Sequence, residues 1–338
     1  MARERPGRGM IVTRTPLRVS FVGGGTDLPV FYREEQGAVL STTITQYVYV
    51  TVKEHSPLFL DRIRVNYSKS EEVNEIDEIK NDIARECLRF VAVEGPIYIS
   101  TVGDVPASTG LGGSSAFAVG LLNALHAFKG ERVSAGQLAE EACHIEIDVL
   151  GEPIGKQDQY AAAVGGLNVL CFEPDERVTV EHQRLTEAQR RELFGSLMMF
   201  WTGHQRDAKA VLAGQQRNSI AERDRLRQMR DQVHELRSLV VNGSLDAKTF
   251  GRVLDQGWRL KRGLAEGIST DAVDGWYDRA LVAGAYGGKL CGAGGGGFLL
   301  LVVPVERQPA VRQAMTGLAE LAFGHEANGS QVVVPFNG

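Results

Sequence analysis

The sequence predicts a mixed helix-and-strand protein built as two domains, and three observations predict it. Runs rich in Val, Ile, Thr and Tyr alternate along the chain with segments of helical periodicity. The 338 residues suffice for two domains, and a polar stretch over 174–187 divides them, so 10–185 and 190–338 are read as the two units. Finally, the glycine-rich stretch GDVPASTGLGGSSAFAV at 103–119 joins a short apolar strand, 97–102, directly to an apolar helix, 116–128.

That junction is a ready-made anion site. Glycines let backbone approach a ligand closely, the first-turn N–H groups of a helix lack partners, and the helix dipole favours negative charge there. Ser114 and Ser115 add hydroxyls that suit a phosphate oxygen or a metal. An ordinary Gly/Ser turn before a helix fits the same residues, and both readings stand at this point. A Walker A loop is excluded, because no lysine precedes the serines. A nucleotide here needs amides, hydroxyls, a metal, or cations from elsewhere in the chain.

Composition removes several functional classes. A net charge of −5 gives no electrostatic reason to propose nucleic acid. Cys87, Cys143, Cys171 and Cys291 are widely spaced, with no C-x-x-C pair, and read as buried small hydrophobes in a reducing compartment. The seven histidines form no metal-spaced pair. No apolar run reaches transmembrane length and no signal peptide is seen, so a cytoplasmic protein with no membrane partner is expected.

In chain order, 1–9 reads as a disordered leader and 10–22 as one or two strands ending in Gly23-Gly24-Gly25-Thr26-Asp27. Three glycines after a strand imply a turn that something approaches closely. Asp27 then either accepts hydrogen bonds from ligand hydroxyls or caps a helix over 28–35. A strand or strand pair follows at 38–52, a strand at 63–67, and a helix opened by acidic 71–78 and ending near 93. The next helix, 134–150, has Leu138, Ala142, Ile145 and Val149 as its core stripe. Glu146 lies beside that stripe, and a carboxylate among apolar neighbours needs a metal ion or a buried arginine. Glu140, Glu141 and Asp148 are expected to be solvated. Asp158 begins a small-residue segment and is either a functional carboxylate or a first-turn helix acid.

Beyond the divide, a strand at 196–200 leads into Thr202-Gly203-His204-Gln205-Arg206, an anion turn or a helix cap with a surface arginine. Helices are expected over 207–241, 246–264, 271–285 and 306–322, and strands over 298–303 and 331–335. Gly292-x-Gly294-x-x-Gly297 matches a dinucleotide fingerprint in letters only. A helix precedes it and a strand follows, the reverse of that motif's setting.

Three ordered glycine-rich segments, PLRVSFVGGGTD, PASTGLGGSSA and KLCGAGGGGF, together resemble the galactokinase–homoserine kinase–mevalonate kinase–phosphomevalonate kinase superfamily, the GHMP kinases. The likeness spans about 12–333. It implies an α+β two-domain fold, with a ribosomal-protein-S5-domain-2-like amino-terminal domain and a ferredoxin-like carboxy-terminal one. It implies an ATP loop at Gly110, Leu111, Gly112, Gly113, Ser114 and Ser115. The magnesium ligands it implies are Ser114, with Ser115 the alternative, and Glu146; Asp158 matches the catalytic aspartate, Arg18 its basic partner, and Asp27 the sugar-hydroxyl aspartate. ATP and Mg²⁺ are the cofactors so implied. Galactokinases carry Glu-His where this chain has Gly24-Gly25, which leaves room for a larger sugar.

The wording GGGTDLP, GKQDQYAA and WTGHQR looks most like the branch that phosphorylates D-glycero-D-manno-heptose 7-phosphate at its anomeric oxygen, a step in nucleotide-activated heptose synthesis for capsule or lipopolysaccharide. A GHMP kinase for fucose or mannose is the alternative, and a non-catalytic sugar sensor the alternative of another class. In the heptose reading Thr202, Arg206 and Lys156 are the expected phosphate anchors. Gly24, Gly25, Thr26, Asp27, Gly294 and Gly295 complete the expected substrate site. Partners are then a sugar phosphate and ATP, with a homodimer left open.

Overall fold

The computed structural model describes residues 9–203, 211, 214, 218 and 221–334. The described strands form two sheets, one of nine strands and one of four. The larger is organised on two long antiparallel strands, β1 (Ile11–Val22) and β2 (Gly37–Glu54). The register between them shifts at Pro16/Leu17, where a residue without an N–H interrupts the ladder. β3 (Ile63–Asn66), β4 (Ser70–Val73) and β5 (Ile97–Gly103) extend the sheet from the second half of β2. Its first half pairs with β6 (Leu167–Phe172), and β6 with β7 (Val178–His182). The helix Gly113–Lys129 lies on β1 and β2, flanked by the helices Asp82–Val91, Ala135–Cys143 and Gln157–Val164. It is apolar nearly all round because it is covered on all sides.

The second sheet holds β8 (Leu197–Trp201), β9 (Gly287–Leu290), β10 (Phe298–Val302) and β11 (Ala319–Glu320), in the order β11-β8-β10-β9. Two helices tie the sheets together. Arg223–Val241 packs on β1 and β2, while Ala247–Arg262 packs on β9, β10 and β1. Phe250 meets Phe21 edge-on at 5.0 Å across that seam.

Several expectations are corrected. The helix expected over 71–93 is β4, a 3₁₀ turn (Ile76–Glu78) and a helix that starts only at Asp82. Glu71 accepts hydrogen bonds from the Lys80 and Asn81 N–H groups and the Tyr67 hydroxyl, which hold the chain out of helix until Asn81 caps it. The polar divide 174–187 contains β7, a paired strand. The last described strands join the larger sheet: β12 (His325–Glu326) returns to β2 and β13 (Gln331–Val334) to β1, covering strand groups that would otherwise be open. The helix expected over 306–322 ends at Ala314. Glu141 is not solvated, since its carboxylate bonds His126 Nε2 at 2.8 Å.

Candidate active site

The glycine loop opens on a cavity of about 280 Å³ between the two sheets. Gly112, at φ +76°, caps the helix Gly113–Lys129 without any side-chain bond, so the first-turn N–H groups stay open. Gly110, Gly112, Gly113 and Ser114 line the cavity. Two contacts hold the loop's shape. The Arg18 N–H donates to Leu111 O at 3.0 Å and its Nη1 to Gly110 O at 2.7 Å. From the other unit Gly292 presses on Gly110 so closely that a Cβ on Gly292 would fall 2.4 Å from the Gly110 Cα. Leu111 itself points into the core, so only its backbone serves the loop.

Glu146 stands where the helix Ala135–Cys143 loosens into a π turn, His144–Val149, a widening that turns the carboxylate inward. It is 1% exposed. Ser114 Oγ donates to its Oε1 at 2.6 Å and Gln159 Nε2 to its Oε2 at 2.6 Å. Burial pushes its pKa up to about 7, although the Ser114, Ser115 and Gln159 bonds pull the other way. A buried carboxylate held by neutral donors alone is short of a cation, and a hydroxyl with a carboxylate is an oxygen donor set that suits Mg²⁺ beside phosphates. Among the described residues no cluster of three or more His, Cys, Asp or Glu could hold a metal by itself.

Asp158 sits in the first turn of Gln157–Val164, so its helix-acid reading and its functional one are the same residue. Arg18 meets it side-on: Nε to Oδ1 at 2.7 Å and Nη2 to Oδ2 at 2.6 Å. Arg18 is 5% exposed; burial opposes its charge, yet Asp158 outweighs burial and raises its pKa. Asp27 is buried on the same cavity, where burial pushes its pKa up against the Gly25 N–H bond at 2.9 Å. Only glycine fits at 155, because a Cβ there would fall 2.0 Å from Asp27 Oδ2. Gly24, Gly25, Ser20 and Gln157 complete this wall, and Ser20 Oγ and Gln157 Oε1 are buried with no hydrogen-bond partner.

Other expected substrate residues lie elsewhere. Thr26 turns inward, its Oγ1 donating to Gly23 O and Ala38 O. Lys156 is held by Glu176 at 2.6 Å and lies over the Tyr32 ring. Thr202 is buried and exchanges bonds with Gly297, pinning the turn before β10. Gly294 and Gly295 pack on Ile268, while Gly292 and Ala293 face the cavity instead. Arg206 lies outside the described residues. Sequence reasoning missed Lys261 and Lys289, which line the cavity from the second unit. The only signal was the need for cations from outside the glycine loop.

Facing an open helix N-terminus, this set of a paired aspartate, a cation-short glutamate and a second buried aspartate is equipped for phosphoryl transfer to an alcohol. The chain belongs to the GHMP kinases and is a kinase with an alcohol acceptor: it matches their N terminal domain over 78–166 and their C terminal domain over 234–320. The family uses ATP. The chain is 31% identical over 307 residues to a D-glycero-alpha-D-manno-heptose 7-phosphate kinase of Campylobacter jejuni subsp. jejuni, covering 87% of this chain and 89% of that protein. It is 23% identical to a galactokinase of Pyrococcus furiosus, covering 90% and 92%. In fold it resembles a crystal structure of a D-glycero-D-manno-heptose 1-phosphate kinase from Bacteriodes thetaiotaomicron, with a TM-score of 0.79 at 24% identity over 97% and 100% of the two chains.

Proposed function

We propose that the protein transfers the γ-phosphoryl group of ATP to the anomeric hydroxyl of D-glycero-D-manno-heptose 7-phosphate, giving the 1,7-bisphosphate, within nucleotide-activated heptose synthesis for surface polysaccharide. The observation that carries this reading is the bidentate Arg18–Asp158 pair on the cavity that the glycine loop and Asp27 share. The Campylobacter jejuni relative supports the choice of sugar, and the side-chain-free Gly24-Gly25 turn supports an acceptor larger than a hexose.

In this reading the loop amides of Gly112–Ser114 bind the triphosphate. Ser114 and Glu146 would hold Mg²⁺, which when bound offsets phosphate charge. Asp27 orients the sugar by accepting from its hydroxyls. Asp158 accepts the C1 hydroxyl proton at its carboxylate as the oxygen attacks. Arg18 fixes that carboxylate and, through Gly110 O, fixes the loop relative to it. The four free cysteines and the use of ATP suit a cytoplasmic setting. Among the described residues no helix is long and apolar enough to cross a membrane.

The test is an ADP-release assay with heptose 7-phosphate, fucose, mannose and galactose, with the product's phosphate position read by ³¹P NMR. Turnover confined to the heptose phosphate, with a new anomeric phosphate, is expected. Faster turnover of fucose or mannose would overturn the choice of substrate.

A further inference from the structure

Lys261 and Lys289 take no part in the transfer chemistry above, yet both line its cavity. Lys261 comes from the helix Ala247–Arg262 and its Nζ donates to Gly292 O. Lys289 comes from β9 and its Nζ donates to Ser20 O at 2.6 Å and Phe21 O at 3.2 Å. They are 7% and 5% exposed. Neither makes an ion pair among the described residues, whereas Arg18, the other cation on this wall, is matched by Asp158. An ammonium has three donors, so each lysine keeps at least one beyond these carbonyl bonds. Two buried ammoniums with no directly paired carboxylate are unfavourable, and burial lowers their pKa to about 8 for Lys261, against the pull of Asp27 and Asp158, and about 7 for Lys289. Ser20 Oγ, on the strand that anchors Lys289, is buried on the same wall and unpartnered. This wall therefore offers two ammoniums and a hydroxyl with open hydrogen-bonding capacity, a donor set that suits an anion.

The nucleotide does not supply it in the reading above, since its phosphates would be met by the helix N-terminus and by the Mg²⁺ that Ser114 and Glu146 would hold. Lys289 is seated on Ser20–Phe21, the residues that lead into the acceptor turn, and both lysines border Gly24 in the pocket adjoining the cavity. We infer that Lys261 and Lys289, with the Ser20 hydroxyl, hold the phosphate monoester that the acceptor sugar already carries. This rests on the sugar-phosphate reading of the site. It also takes the hydroxyl-binding groups from the first unit and both cations for the phosphate from the second, so that a phosphorylated acceptor bridges the cleft.

Lys261→Met and Lys289→Met are tested by titration calorimetry with heptose 7-phosphate, the same heptose without phosphate, and a non-hydrolysable ATP analogue with Mg²⁺. Each variant is expected to weaken heptose 7-phosphate by about tenfold or more, the size of one lost charge-assisted bond. The ATP analogue and the unphosphorylated heptose should change by less than about threefold, within the range of neutral contacts. Unchanged affinity for the sugar phosphate overturns the inference, and so does an equal loss for the ATP analogue or for the bare sugar. If a Met variant fails to fold, as judged by its thermal melt, Lys→Gln keeps a donor without the charge and is read in the same way. The two readings fail separately. Should the wild type not phosphorylate heptose 7-phosphate, mannose 6-phosphate serves as the probe; its loss from both variants keeps the lysine site while the substrate assignment falls. Should the wild type phosphorylate heptose 7-phosphate and the variants bind it unchanged, the lysine site falls and the substrate assignment stands.

Discussion

Replacing Asp158 with Asn tests the proposed chemistry most directly. The substitution keeps shape and removes one charge. In the wild type both carboxylate oxygens accept from Arg18, at 2.7 and 2.6 Å. An amide offers one acceptor, so one of these bonds becomes a donor facing a donor. Arg18 still holds Gly110 O at 2.7 Å, which keeps the glycine loop in place. Two effects then separate. Loss of the proton acceptor should lower kcat by about 10²–10⁴, or about 3–5 kcal/mol of barrier. Loss of the ion pair should lower stability less, by about 1–2 kcal/mol, because the Asp158 side chain is 22% exposed and solvent screens part of the pair. Steady-state ADP release gives kcat and both KM values, and a thermal melt gives the stability term. The KM values should stay within about threefold, as for a group that acts only in the transition state. Near-wild-type kcat would refute the proton-acceptor role. A large rise in KM for ATP with kcat retained would show instead that the pair serves the loop.

Gly292→Ala should destabilise the protein by about 1–3 kcal/mol and raise KM for ATP, because a Cβ cannot fit 2.4 Å from Gly110 Cα without moving the loop; a melt and an ATP titration check this. Lys156→Met should leave KM for the acceptor within about twofold and lower stability by at most about 1 kcal/mol, the scale of a half-exposed pair with Glu176; a large KM effect would return Lys156 to the site. Lys289 is faced by Lys261, Arg18 and Cys291, and its folded pKa lies below its unfolded value, about 7 against 10.5. Between these values the unfolded chain binds more protons, so this group makes ligand-free stability rise with pH, by at most about 1.4 kcal/mol per pH unit. Melts from pH 7 to 9 should show a shallower rise in Lys289→Met than in the wild type, and identical slopes would refute it.

Much of the site was legible in the residues because it is local. The strand–glycine loop–helix order at 97–129 requires an open helix N-terminus, whatever surrounds it. The need of Glu146 for a cation follows from its apolar neighbours, and Ser114 supplies a neutral bond only. The pairing of Arg18 with Asp158 was not readable from either residue; 140 positions separate them, and only the likeness to a family joined them. Lysine in GGKL looks like any strand lysine, and Lys261 lies on a helix with other basic residues in its last turn. Their burial depends on the helix Ala247–Arg262 and β9 packing against β1. For Thr202 and Lys156 the converse holds: their sequence neighbourhoods suit an anion, but in the fold Gly297 and Glu176 engage them.

By itself, then, the sequence determined the mixed architecture, the glycine turn that opens a helix and the carboxylates that need partners, since these follow from backbone freedom, helix polarity and the poor solvation of buried charge. Only the tertiary structure decided which cations face the cleft and where the last strands go. A long side chain reaches about as far as the gap between neighbouring elements, so packing between distant segments, rather than local pattern, sets which partner it meets.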